Sequence, residues 1–208
     1  MGKYYAVRKG NVPGIYTSWN ACKSAVNGFK GAVYKSFLTE EEAVEYMNKD
    51  TIELEQIDFN TILSYAFVDG SFNESEKIYG YGGFLCHRIQ DQESGKINET
   101  RYLIQGNGND EEMITMRNVA GEVLGAQAAM EKALSLEIKN LTIFYDYAGI
   151  EMWANGEWER NKEGTKKYHE FYKSIKNKLN VHFVKVKGHS GVEGNEIADE
   201  LAKESVGL

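Results

Sequence analysis

Cysteine is nearly absent from this 208-residue chain, which has only Cys22 and Cys86. Two thiols cannot build a disulfide framework or a four-cysteine zinc site, and they suit a reducing cytoplasm. No apolar run approaches the length needed to cross a bilayer, so no membrane partner is expected. The N-terminus, MGKYYAVRKG, lacks the apolar core of a secretory signal. It begins Met-Gly, but Ala6 stands where an N-myristoylation motif needs Ser or Thr. There is no internal repeat, no low-complexity segment, and no Ser or Cys set in an activating context. What remains is ordinary globular composition, 42% hydrophobic and 26% charged. That suffices for one good core and a small second module.

Positive charge is also in short supply. The net charge is −7, which taken whole argues against a nucleic-acid partner. Its distribution says more. Residues 1–50 carry seven basic against five acidic residues, and four of those acids (Glu40, Glu41, Glu42, Glu45) cluster on one expected helix. The rest of that segment is basic, and residues 51–208 carry the whole acidic excess.

Taken in order, residues 3–8 read as a strand by their aromatic and β-branched content, and residues 14–17 as a second. Ser18 can cap a helix holding Trp19, Cys22, Ala25 and Val26. Residues 32–37 make a third strand, and Thr39 with Glu42 forms a capping box for a second helix. This ββαβα module, residues 1–48, precedes an acidic connector over 49–62 and a larger domain over 63–208. In the larger domain, strands are expected at 63–70, 79–87 and 96–105, then a long helix over 116–136 capped by Asn118. A central strand at 141–145 follows, then helices at 149–154 and 166–179, a strand at 181–186 and a last helix. The fold class is α/β, with three antiparallel strands in a mixed five-stranded sheet flanked by helices.

The last stretch, KGHSGVEGNEIADELA at 187–202, joins a glycine-punctuated loop to a helix expected to start at Asn195. Asp199 lies on that helix and His189 in the loop. Alone, the pair reads equally well as a solvated helix face and a loop histidine. Three further acids give it weight. Asp69 and Asp146 each end a hydrophobic strand, and Glu122, like Asp199, falls in the first turn of a helix. In α/β sheets functional groups gather at such ends. Four carboxylates meeting there would repel one another unless cations held them. Oxygen-only ligands suit Mg²⁺, with Mn²⁺ as an alternative, and not zinc. Two ions roughly 3.5–4 Å apart would activate water and stabilise a leaving 3′-oxygen.

In the first module, Tyr5 and Trp19 offer faces for stacking on bases or sugars, and Lys35 and Lys9 offer charge for phosphates. Filling a small core is the plainer use for the two aromatics.

The motifs resemble a known family. YAVRKG at Tyr5, TSWN around Trp19 and VYKSFLTEEEA from Val33 resemble the hybrid-binding (viroplasmin-like) domain of type 1 ribonucleases H. VDGS at Asp69, NVAGEVLGAQAA around Glu122, YDYAGI at Asp146 and the 187–202 stretch resemble the ribonuclease H catalytic domain. The resemblance implies an endonuclease that cuts the RNA strand of RNA/DNA hybrids and leaves 5′-phosphate and 3′-hydroxyl ends. It implies that Asp69 bridges two Mg²⁺ ions, Glu122 ligates the second, and Asp146 and Asp199 ligate the first. By the same resemblance His189 assists proton transfer and product release, while Asn118, Gly70 and Ser71 lie against the RNA strand. Tyr5, Trp19 and Lys35 would grip the hybrid, and duplex RNA is a further ligand for that domain. A cytoplasmic monomer is expected. Departures are Tyr147 where the family usually has Ser, FNESEK in place of a Gly/Pro-rich turn, and Val33 and Ser36 at basic positions. Arg160, Lys162, Lys166 and Lys167 form a thin basic strip that could hold the DNA strand. The rival readings are a non-catalytic hybrid-binding protein, which would lack a ligand acid, and another nuclease of the same superfold, such as an integrase or junction resolvase.

Overall fold

The computed structural model describes residues 3–47, 58–91, 93–186 and 193–208. The chain divides into two compact units, Met1–Thr51 and Ile52–Leu208. In the first, β1 (Tyr4–Lys9) lies between β2 (Gly14–Tyr16) and β3 (Val33–Phe37), antiparallel to both. Helices α1 (Trp19–Val26) and α2 (Glu40–Met47) complete it. Both predicted caps form. Ser18 Oγ accepts from the Ala21 amide at 3.3 Å, and Thr39 and Glu42 bond reciprocally at 3.2 and 3.4 Å. The core of this unit is small: Val7, Cys22 and Ala25, with Tyr5, Tyr16 and Val26 packed around them.

The second unit is built on a five-stranded sheet of order β6-β5-β4-β7-β8. Strands β4 (Ser64–Asn73), β5 (Ile78–Gln90) and β6 (Ile97–Gly108) form an antiparallel meander. Strands β7 (Asn140–Tyr145) and β8 (Asn180–Lys185) add in parallel to β4. One core cluster joins the sheet to α4 (Asn118–Ser135), α5 (Gly149–Ala154) and α6 (Glu163–Ile175). A short helix, α3 (Glu111–Ile114), precedes α4 and is capped by Asp110. A second cluster of Tyr65, Phe67, Phe84 and Phe144 lies under α7 (Glu193–Ser205) and its Ala198. Phe67 and Phe144 stack with centroids 4.7 Å apart. Burying side chains of this size contributes roughly 1.5–3 kcal/mol each. The described end of the 49–62 connector joins this cluster. Phe59, in a single 3₁₀ turn over Phe59–Thr61, packs on Tyr65 and Phe144 at 5.3 Å each.

Three element ends differ from the sequence reading. Asp69 does not end a strand, because β4 continues to Asn73. Its parallel pairing with β7 stops at Phe67↔Phe144, whereas its antiparallel pairing with β5 runs on through Asp69↔Gly82 to Asn73↔Ile78. Asn118 is the first helical residue of α4 and not its cap. That place falls to Arg117, at φ 55° and ψ −133°, with no side-chain cap bond. Helix α7 starts at Glu193, so Asn195 lies within its first turn and Asp199 in its second.

Glycine sets how closely the helices lie on the sheet. A Cβ at Gly121 of α4 would overlap the Gly80 carbonyl and Gly70 Cα, and one at Gly70 would overlap Asn118 O and Glu122 N. Backbone therefore meets backbone where α4 crosses β4, and Glu122 is delivered directly over Asp69.

Candidate active site and metal centre

Three acids converge in the second unit. One carboxylate oxygen from each of Asp69, Glu122 and Asp146 lies within 4.8 Å of the others. Asp69 comes from β4, Glu122 from α4, and Asp146 from the residue after β7. Glu122 is only 4% exposed, and its Oε2 is buried with no hydrogen-bond partner. A buried unpartnered carboxylate oxygen is costly. Burial, reinforced by Asp146 and Asp69, therefore holds its pKa well above the usual carboxylate range. Asp69 is pushed up to about 6 by burial and then by Asp146. A hydrogen bond from Glu122 and one from the Gly70 amide, at 2.7 Å, partly offset that rise. Three facing carboxylates, one with an orphaned oxygen, make a hard, oxygen-only donor set. It fits a divalent cation such as Mg²⁺ or Mn²⁺ and does not suit zinc.

A cleft of about 430 Å³ opens beside them, lined by Asp69, Asp146, Asn195, Glu196, Asp199 and Glu200. Asp199 thus shares the cleft, but its carboxylate stands apart from the trio and pairs with Lys203 at 2.6 Å. The sequence reading took Glu196 only as a first-turn carboxylate of the last helix and did not single out Glu200. The i,i+3 spacing of Glu196 from Asp199 is a signal that could have found it, whereas Glu200, adjacent in sequence, has no such signal. His189 lies outside the described residues. Asn118 is exposed at the start of α4, and Gly70 and Ser71 are half-buried on β4 directly after Asp69.

The departures have visible consequences. Tyr147 packs on Trp153 and Trp158 of the segment that follows, with centroids 5.8 and 6.5 Å away. The basic strip is already engaged within the chain. Lys166 pairs with Glu163 at 3.4 Å and Lys167 with Glu112 at 3.2 Å. Lys162 donates to Thr115 at 3.1 Å, and Arg160 to the Trp158 carbonyl at 2.8 Å.

In the first unit, Tyr5 and Trp19 meet at 5.6 Å, and Trp19 meets Tyr34 at 6.0 Å. Trp19 and Tyr34 are each 44% exposed, whereas Tyr5 is half-buried against the small core. Tyr34 was missed from the sequence. Strand alternation puts it on the face opposite Lys35, beside Trp19. The register pairs Tyr34 with Val7 and Ser36 with Tyr5, whereas Lys35 pairs with Ala6. Lys35 accordingly lies on the other face, its ammonium 5.3 Å from the Phe37 ring and 6.0 Å from that of Tyr46. Lys9 is exposed at the end of β1.

Comparison with known proteins adds to this geometry. A family model described as Ribonuclease H1 N-terminal domain matches residues 3–47, and one described as RNase H matches residues 64–206. Human Ribonuclease H1 is 24% identical over 259 aligned residues, spanning 98% of this chain and 89% of that protein. Ribonuclease H of Francisella tularensis subsp. novicida is 31% identical over 154 residues, 68% of this chain and 89% of its own length. Ribonuclease H of Saccharomyces cerevisiae is 48% identical over 49 residues, 24% of this chain but only 14% of the yeast protein. Among solved structures, RNase H1 from the archaeon Halobacterium salinarum superposes with a TM-score of 0.50 at 17% identity. That match covers 69% of this chain and 96% of the archaeal one, and is a likeness of fold. Among the described residues, no helix is long and apolar enough to cross a membrane.

Proposed function

The chain belongs to the RNase H family, and on that premise we propose that it hydrolyses the RNA strand of RNA/DNA hybrids, leaving 5′-phosphate and 3′-hydroxyl ends. The observation that carries this reading is the trio of Asp69, Glu122 and Asp146, with one Glu122 oxygen buried and unpartnered. Together with Asp199 in the same cleft, these acids would hold two Mg²⁺ ions, with Mn²⁺ as a substitute. Ions bound there supply Lewis-acid stabilisation for the attacking water and the departing 3′-oxygen.

The chain's own groups do the rest. Helix α4 fixes Glu122 through the glycine contact with β4, so the acid needs little reorganisation when substrate arrives. Asn118, exposed at the start of α4, and the β4 backbone at Gly70 and Ser71 would meet the RNA strand. Glu122 accepting a hydrogen bond from a ribose 2′-hydroxyl, with Asn118 beside the same strand, would make the site demand RNA. His189 would take up a proton and help release the product phosphate. Residues 1–48 act as a hybrid-binding domain, residues 49–62 as a connector and residues 63–208 as the catalytic domain. In the first, the trio of Tyr5, Trp19 and Tyr34 would stack on nucleotides and Lys9 would meet phosphates, while Lys35, on the opposite face of the sheet, would need a separate phosphate contact. Duplex RNA would be a weaker ligand of that domain. Two buried free thiols fit a reducing, cytoplasmic setting.

The test is Asp69→Asn with a labelled RNA/DNA hybrid. Mg²⁺-dependent cleavage should be lost while hybrid affinity stays near wild type. Full activity in that variant would remove Asp69 from the metal site.

A further inference from the structure

Asp199, at the wall of the cleft, is ion-paired with a lysine of its own helix. Its Oδ2 lies 2.6 Å from Lys203 Nζ, one turn further along α7. The i,i+4 spacing puts both side chains on one face of the helix. Asp199 is 26% exposed at its side chain and Lys203 50%, so the acid sits at the cleft wall and the ammonium reaches it from outside. Two other lysine pairs described above, Lys166–Glu163 and Lys167–Glu112, involve acids outside the cleft. The Lys203 pair engages an acid that lines it.

We propose that Lys203 is a resident counter-cation that occupies Asp199 until a divalent ion takes over that carboxylate, and so sets how tightly the site binds the ion. The inference rests on the metal-binding reading above. Its physical basis is competition for one acceptor. Acids gathered in one cleft repel each other. A tethered ammonium relieves part of that repulsion without the entropy cost of capturing a free ion. An ion that recruits Asp199 must break the pair, and its apparent affinity falls by the strength of the pair. Lys203 is therefore a positioning residue that lowers metal affinity and supports the metal-free fold.

The experiment is calorimetric titration of the full chain with Mn²⁺ and Mg²⁺, without nucleic acid, comparing wild type, Lys203→Gln and Lys203→Arg. The same titrations are repeated with Asp199→Asn and with the Asp199→Asn/Lys203→Gln double variant. Lys203→Gln should bind the ion about two- to fivefold more tightly, the size expected for a partly exposed pair. Lys203→Arg should stay near wild type. In the Asp199→Asn background the effect of Lys203→Gln should vanish. Unchanged affinity in Lys203→Gln, or a gain that persists without Asp199, would overturn the inference and leave the metal site standing. If the wild type binds no divalent ion, the metal reading itself falls, and this inference with it.

Discussion

A carboxyl buried beside two others resists ionisation, and that resistance is measurable without any substrate. Asp69 titrates near 6 in the folded chain against 3.8 for the free group. Between those values the folded state keeps a proton that the unfolded state has released. Stability from this group is therefore full at acid pH and is lost as pH rises through about 6. Glu122 acts in the same direction. In EDTA, Asp69→Asn should unfold several degrees above wild type at about pH 7.5, with the gap closing toward about pH 4. Thermal unfolding across that range checks this. Adding Mg²⁺ should shrink or reverse the gap, because a ligand that binds only the folded wild type stabilises it by mass action. A gap independent of pH would mean that Asp69 is not held protonated by its neighbours.

At the scale of elements, the close approach of α4 to β4 and β5 positions the site, and it depends on absent side chains. Gly121→Ala would force its methyl into the Gly80 carbonyl and Gly70 Cα. The expected cost is about 1–3 kcal/mol of stability. Cleavage activity should fall further than that loss explains, because any shift of α4 carries Glu122 with it. Gly95→Ala is the contrast. That glycine has φ +68° with open space around it, so its cost is backbone strain, about 1–2 kcal/mol, with activity intact. Urea unfolding of both variants beside hybrid cleavage separates the two effects.

Much of this scale was legible in the sequence. Periodicity and capping residues gave the order of elements, and Ser18 and the Thr39–Glu42 box cap as read. The extent of β4 beyond Asp69 was not legible, because it depends on which neighbour each residue pairs with, and local propensity does not carry that. The start of α4 was misread for a similar reason. Asn118 is a good cap in isolation, but the chain turns one residue earlier, at Arg117 with φ 55°, so that Asn118 is already helical. The acids of the trio were visible as motifs. The separate pairing of Asp199 with Lys203 was not, since many i,i+4 pairs in a sequence never form in the fold.

At the scale of the molecule, the proposed function assigns the two units separable tasks. The aromatic trio sits in the first unit and the acids in the second. Trp19→Ala or Tyr34→Ala should weaken hybrid binding by about 1–3 kcal/mol, as loss of one stacking surface does. The cleavage rate at saturating hybrid should not change. A binding isotherm together with single-turnover rates checks both parts. Unchanged affinity in a folded variant would reduce the trio to core packing.

The central claim is that this chain cuts RNA only where it is paired with DNA, and only with a divalent ion. Its most direct test offers end-labelled RNA/DNA hybrid, single-stranded RNA, duplex RNA and duplex DNA to the wild-type chain, with Mg²⁺ or with EDTA. Cleavage is expected of the RNA strand of the hybrid alone, with 5′-phosphate ends, and none in EDTA. Cleavage that persists in EDTA, or that falls equally on the other substrates, would contradict it.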